Sequence, residues 1–158
     1  IIDTHHSYMK KALLRLGGLV QKVLHAHEAH HGAMLSQVHD LFGALDAELT
    51  PHLMKEELVL FPYIVGLGTH ACGDADKPTA CFGSVQNPIR QMEHEHEIAG
   101  EALAKLRKVT GDYTLPPDAC PTFRALYEEL QQMETDLHQH IHLENNILFP
   151  RALEFEDT

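Results

Sequence analysis

The chain has 158 residues, enough for one domain with a substantial core, and its 23 acidic against 12 basic residues give a formal charge of −11. That balance argues against nucleic acid and anionic membrane surfaces as partners and points to metals or other proteins. No apolar run of about 18 residues occurs and no charged-then-apolar leader opens the chain, so a soluble, cytoplasmic protein is expected.

Three cysteines, Cys72, Cys81 and Cys120, are an odd number without CxxC spacing, which excludes a disulfide framework. The compositional outlier is histidine, with 14 copies in a chain that has no tryptophan. The chain opens without Met and inside a helical pattern, from which a further segment upstream is expected.

Apolar residues recur at intervals of three and four in four long segments. The first, roughly 1 to 29, carries Ile2, Met9, Leu13, Leu16, Val20 and Val23 on one face and fades in AHHG. The second, roughly 34 to 65, carries Leu41, Leu45, Leu49, Val59 and Tyr63. The link GLGTHACGDADKPTACFGSVQ follows and is expected to lap over one end of the molecule. The third segment begins at Asn87-Pro88, a capping residue followed by Pro, carries Ile89, Met92, Ala99, Leu103 and Leu106, and stops near Gly111. The fourth follows LPPDACP and uses Phe123, Leu126, Leu130, Met133, Leu137 and Ile147, finishing near Leu153. Short connections within each pair favour antiparallel neighbours, so the predicted fold is all-α, an up-down-up-down four-helix bundle.

The second and fourth segments share a motif. HLMKEELVLFP (52–62) and HIHLENNILFP (140–150) each place a Glu four residues after a His and end in Leu-Phe-Pro. Counting by three and four puts His52 and Glu56 on one apolar stripe, and His140 and Glu144 on another. His96 falls on the third stripe and His6 on the first. His52 and His140 lie about ten residues before their helix ends and His96 about ten after its start, so an antiparallel arrangement brings them into one layer. The Leu-Phe-Pro is expected to pack the bundle's end and stop each helix.

A single inward histidine is ordinarily a hydrogen-bonded core residue, but six polar residues in one layer are not explained that way. Two buried carboxylates without a counter-charge would cost several kcal/mol each, and no Lys or Arg shares these stripes at that level. A metal centre supplies the charge. Four imidazoles and two carboxylates suit iron or manganese better than zinc, and facing Glu residues can bridge two ions. The expected site is dinuclear, with two His per ion, bridges from Glu56 and Glu144, and a solvent-derived oxygen completing the bridge.

The tract HAHEAHH holds His25, His27, His30 and His31. His27 lies about 31 Å along a helix from His6, too far to share the centre, so the tract reads as a polar helix end. His5 and His94 are expected at the surface, and His138 and His142 point away from the stripe. Cys72 and Cys81, near His70 and Asp74, match no strong zinc spacing.

HLMKEELVLFP, MEHEHEIAGEAL, LPPDACPTF and DLHQHIHLENNILFPRALE together resemble the hemerythrin-like di-iron family, and within it the bacterial repair-of-iron-centres proteins. The resemblance covers essentially the whole chain. It implies two iron ions in an oxo- and carboxylate-bridged centre, held by His6, His52, Glu56, His96, His140 and Glu144, the same six residues. It also implies a stress-response protein that restores damaged iron–sulfur clusters and binds nitric oxide, with Glu48 and Glu95 on a route for iron or protons. An alternative is a nitric oxide or oxygen carrier. Oxygen-carrying hemerythrins place a second His one turn from the first on the third helix, whereas here Met92 and Gly100 flank His96. Fewer protein ligands favour reaction or iron release over reversible carriage.

Overall fold

The computed structural model describes residues 1–158, and its regular structure is helical throughout. Helix α1 spans Ser7–Lys55 without a break, although the AHHG pattern suggested two helices. A straight helix of that length would extend about 75 Å at about 1.5 Å per residue. Instead Lys10 Nζ donates to Glu57 Oε2 at 2.7 Å, His6 lies 3.4 Å from Glu56, and a Cβ on Gly17 would stand 3.9 Å from Phe42. The run therefore doubles back on itself near residue 32, next to AHHG, with no irregular residue between its two arms.

Helix α2 (Phe61–Ala71) continues from α1, α3 spans Gln86–Val109, α4 spans Pro121–Leu143, and α5 (Phe149–Glu156) continues from α4. Three five-residue π-helical turns, Ile2–His6, Glu56–Leu60 and Glu144–Leu148, precede α1, α2 and α5. These turns overturn two sequence expectations. Leu-Phe-Pro does not stop the helices, which run on to Ala71 and Glu156. Pro62 and Pro150 have no N–H, and in a regular helix each ring would meet the carbonyl four residues back. In the wider turn the N–H of Phe61 donates to the Glu56 carbonyl and that of Phe149 to the Glu144 carbonyl, five residues back.

The second correction concerns the apolar stripes. Ile2, Val59 and Ile147 are exposed, and all three lie inside π-helical turns. An extra residue per turn delays the helical phase, so a count by three and four falls one or two residues short. The core takes Leu60 and Phe149 instead.

The buried apolar side chains form two clusters. The larger includes Met9, Leu16, Leu49, Leu53, Ala99, Leu103, Met133 and Leu137. The smaller holds Leu60, Phe61, Ile64, Leu67, Ile89, Met92 and Phe149. In sequence, His52, His96 and His140 each fall between members of the first cluster and members of the second, and His6 falls between Ile1, which packs against the second, and Met9 of the first, so a polar layer separates them. The long link laps over α2 and α5 as expected: Pro78 packs against Gly66, where an added Cβ would come within 3.1 Å, and Ser84 Oγ and the Val85 N–H donate to Glu156. The α3–α4 turn places Gly111, Asp112 and Tyr113 in the left-handed region. Tyr113 is held there by its hydroxyl donating to Glu134 at 2.9 Å and its N–H donating to Thr110 Oγ1.

Candidate metal centre

Between the two apolar clusters, His6, His52, Glu56, His96, His140 and Glu144 are all buried. The fold brings together all six residues expected from the sequence. Their arrangement is paired. The Nε2 atoms of His6 and His140 are 3.2 Å apart, as are those of His52 and His96. Each carboxylate faces both pairs. Glu56 turns Oε2 to His6 and Oε1 to His52, both at 3.4 Å. Glu144 turns Oε1 to His140 at 2.8 Å and Oε2 to His96 at 3.2 Å. The result is two four-residue donor sets, His6–Glu56–His140–Glu144 and His52–Glu56–His96–Glu144, each with its ligand atoms within 4.8 Å of one another.

The chemistry of these donors fits two cations. Both oxygens of Glu56 and Oε2 of Glu144 are buried without a hydrogen-bond partner, a costly arrangement unless positive charge lies between the carboxylates. Three of the four imidazoles are preset as ligands. His6 donates from Nδ1 to Glu57, His52 to Glu95 and His96 to Asn145, each at 2.8 Å. An Nδ1–H donated outward leaves Nε2 as the lone-pair atom facing inward, the arrangement that orients metal-binding histidines.

Electrostatics follow from the same contacts. Burial opposes charge on His6, but the carboxylates of Glu144, Glu56 and Glu57 outweigh it and lift the imidazole to about 9, so a cation taking its place between the carboxylates displaces the Nε2 proton. His52 is raised in the same way, burial being outweighed by Glu56 and Glu95. Burial works against Glu144 as an anion, yet His140, His6 and His96 hold its carboxyl far below the usual range. Glu95 is pulled down to about 2 against its burial by Lys55, Gln91 and His52. Lys10 lowers Glu57.

Several residues with a role here went unseen in the sequence. Glu57 and Asn145 each directly follow a shared carboxylate and hold the His of the preceding segment, so the repeat extends one residue past HxxxE. His5, expected at the surface, is buried. Its Nδ1 bonds to Asp136 at 2.9 Å and its ring stacks on His140 at 5.5 Å. Of the proposed route, Glu95 touches His52, whereas Glu48 is exposed. His94, His138 and His142 are exposed as expected. Cys72 and Cys81 are exposed, and the His70 ring bonds to the Ala75 carbonyl. No helix is long and apolar enough to cross a membrane.

The family model described as the hemerythrin HHE cation binding domain matches residues 1–152. The chain belongs to the hemerythrin HHE family. Three relatives of this hemerythrin chain carry the name iron-sulfur cluster repair protein YtfE. The one from Dickeya chrysanthemi (strain Ech1591) is 40% identical over 157 residues, covering 99% of this chain and 64% of the relative. The one from Musicola paradisiaca (strain Ech703) is 40% identical with the same coverage. The one from Edwardsiella ictaluri (strain 93-146) is 39% identical over 153 residues, 97% of this chain and 63% of its own length. The chain thus spans a little under two thirds of the length of these relatives.

Proposed function

We propose that residues 1–158 form a hemerythrin-like non-haem di-iron domain, folded as an up-down-up-down four-helix bundle, that repairs or donates iron to damaged iron–sulfur clusters. In this reading His6 and His140 would hold one iron and His52 and His96 the other, with Glu56 and Glu144 each offering one oxygen to either ion. The observation that carries it is the pair of buried carboxylates, each turning one oxygen to each imidazole pair, three of whose oxygens have no other partner. The doubling back of α1 supports the bundle, since its two arms with α3 and α4 make four antiparallel segments. The YtfE relatives support the repair role.

Bound iron would supply redox chemistry and a site for small diatomic molecules such as nitric oxide. The protein's own residues set its surroundings. Glu57, Glu95 and Asn145 fix three imidazoles in ligand geometry. Phe61 and Phe149 pack against His6 and His96 and exclude water from that side. Glu95 is partly exposed and also binds Lys55, so it offers a cation a carboxylate between solvent and His52. With exposed Glu48, which shares an arm of α1 with His52, it forms the proposed route for iron or protons. Partners in this reading are damaged iron–sulfur proteins in the cytoplasm and nitric oxide or dioxygen, not nucleic acid or membranes.

Metal analysis of the iron-loaded protein tests the centre: two irons per chain are expected, and Glu144→Ala should lose them. Retention of both irons by that variant would refute the bridging role. Incubating the di-iron protein with an enzyme whose cluster has been damaged tests the activity, with recovery of that enzyme as the expected result. Unrepaired damage together with clean reversible oxygen binding would favour the alternative, a nitric oxide or oxygen-binding hemerythrin.

A further inference from the structure

The histidines of HAHEAHH are not simply a polar helix end. At the tip of the first arm of α1, His31 Nε2 lies 2.9 Å from Asp118 Oδ1. His27 lies against the thiol of Cys120, the residue at the N-cap position of α4. Both imidazoles pack on the buried ring of Phe123, with centroids at 5.1 and 6.0 Å. The two histidines are four residues apart on one helical face, the spacing by which a helix offers two imidazoles to one ion. His27 is 21 residues from His6, and Cys120 is 20 residues before His140. Both separations place this cluster about 30 Å from the paired carboxylates.

We propose that His27, His31, Asp118 and Cys120 form a second metal site, for a borderline-soft divalent cation such as zinc. Two imidazoles, a thiolate and a carboxylate make a four-ligand tetrahedral set, the preference of zinc and a different chemistry from the sulfur-free main centre. The thiol is prepared for this. His27 and the backbone N–H groups of Phe123 and Thr122 hold it down to about 7, so much of it is thiolate at neutral pH. Binding replaces the remaining thiol proton with a sulfur–metal bond and releases that proton to water. The His27 and His31 centroids are 6.1 Å apart, about an ångström wider than the 4.8 and 4.9 Å of the paired imidazoles in the main centre. The four ligand atoms are not gathered within 4.8 Å as each donor set of the main centre is, so binding requires the partly exposed His27 and His31 rings to turn on Phe123 and the Asp118–Cys120 turn to close on them. A bound ion would then tie the tip of α1 to the start of α4.

The test uses iron-loaded Cys72→Ser/Cys81→Ser protein, in which Cys120 is the sole thiol. Titration with Zn2+ should add one equivalent per chain while iron content stays constant, and should slow alkylation of Cys120 at least about tenfold. Co2+ in its place should give a sulfur-to-cobalt charge-transfer band. Cys120→Ser and His27→Ala should each weaken the added equivalent by about tenfold or more. The alkylation measurement needs no change to the four ligands, so it stands even if those variants fold poorly. Zinc gained only as iron is lost, unprotected Cys120, or wild-type affinity in Cys120→Ser would each overturn the site.

Discussion

Asn145 is a small residue with a large expected effect. Its side-chain oxygen is the acceptor that fixes the His96 ring, and loss of such a partner costs about 10–100-fold in metal affinity. Asn145→Ala should weaken iron binding by that order while helicity stays unchanged, as read by competition with a chelator. The near-twofold repeat also shows where its halves differ. His6 and His96 are matched by Glu57 and Asn145, and His52 has Glu95, the residue just before His96. The corresponding residue before His6 is His5, which stacks on His140 instead of accepting from it, and His140 Nδ1 is left without a partner. Cys120 makes a pH prediction on the same scale. Because its thiol is lowered to about 7, the fraction present as thiolate grows as pH rises through that value. In Cys72→Ser/Cys81→Ser protein its alkylation rate should climb with a midpoint near 7, and His27→Ala should move that midpoint upward. The six inward-facing polar residues were legible because counting by three and four, and the HxxxE spacing above all, projects through a regular helix up to the π-helical turns. Two of their partners were not, because Glu57 and Asn145 are ordinary polar neighbours whose direction depends on contacts between distant segments, while Glu95, expected on a route for iron or protons, holds the His52 ring.

At the scale of elements, the helical segments followed from apolar periodicity and their internal irregularities did not. The π-helical turns begin at Glu56 and Glu144, immediately after the HxxxE spacing has set the inward face, so the ligands could be placed while Val59 and Ile147 were misplaced. The signal was present in Pro62 and Pro150, whose missing N–H groups break the regular bonding pattern without ending the helix. The α3–α4 turn depends on a different device. Tyr113 sits in a backbone conformation costly for a bulky residue, and its hydroxyl joins the turn to buried Glu134 of α4, which also accepts from Arg107. Tyr113→Phe keeps the packing and removes that bond. It should lower stability by about 1 kcal/mol, seen as a reduced urea midpoint with iron content unchanged.

Across the whole molecule, the chain divides at the 72–85 link into two stretches that each contribute two imidazoles and one carboxylate to the centre. The donor sets do not follow that division. His6 is grouped with His140 and His52 with His96, so each proposed iron draws ligands from both sides of the link. Cleaving an engineered protease site within 72–85 should therefore leave an iron-loaded protein that migrates as one species, while chelation should lower the unfolding temperature of the cut protein far more than that of the intact one. If chelation affected both equally, the crossed assignment of ligands would be wrong. Iron in such a centre acts as a fastener as well as a reagent: giving up an ion to a client would also loosen the grip between the two halves of the donor.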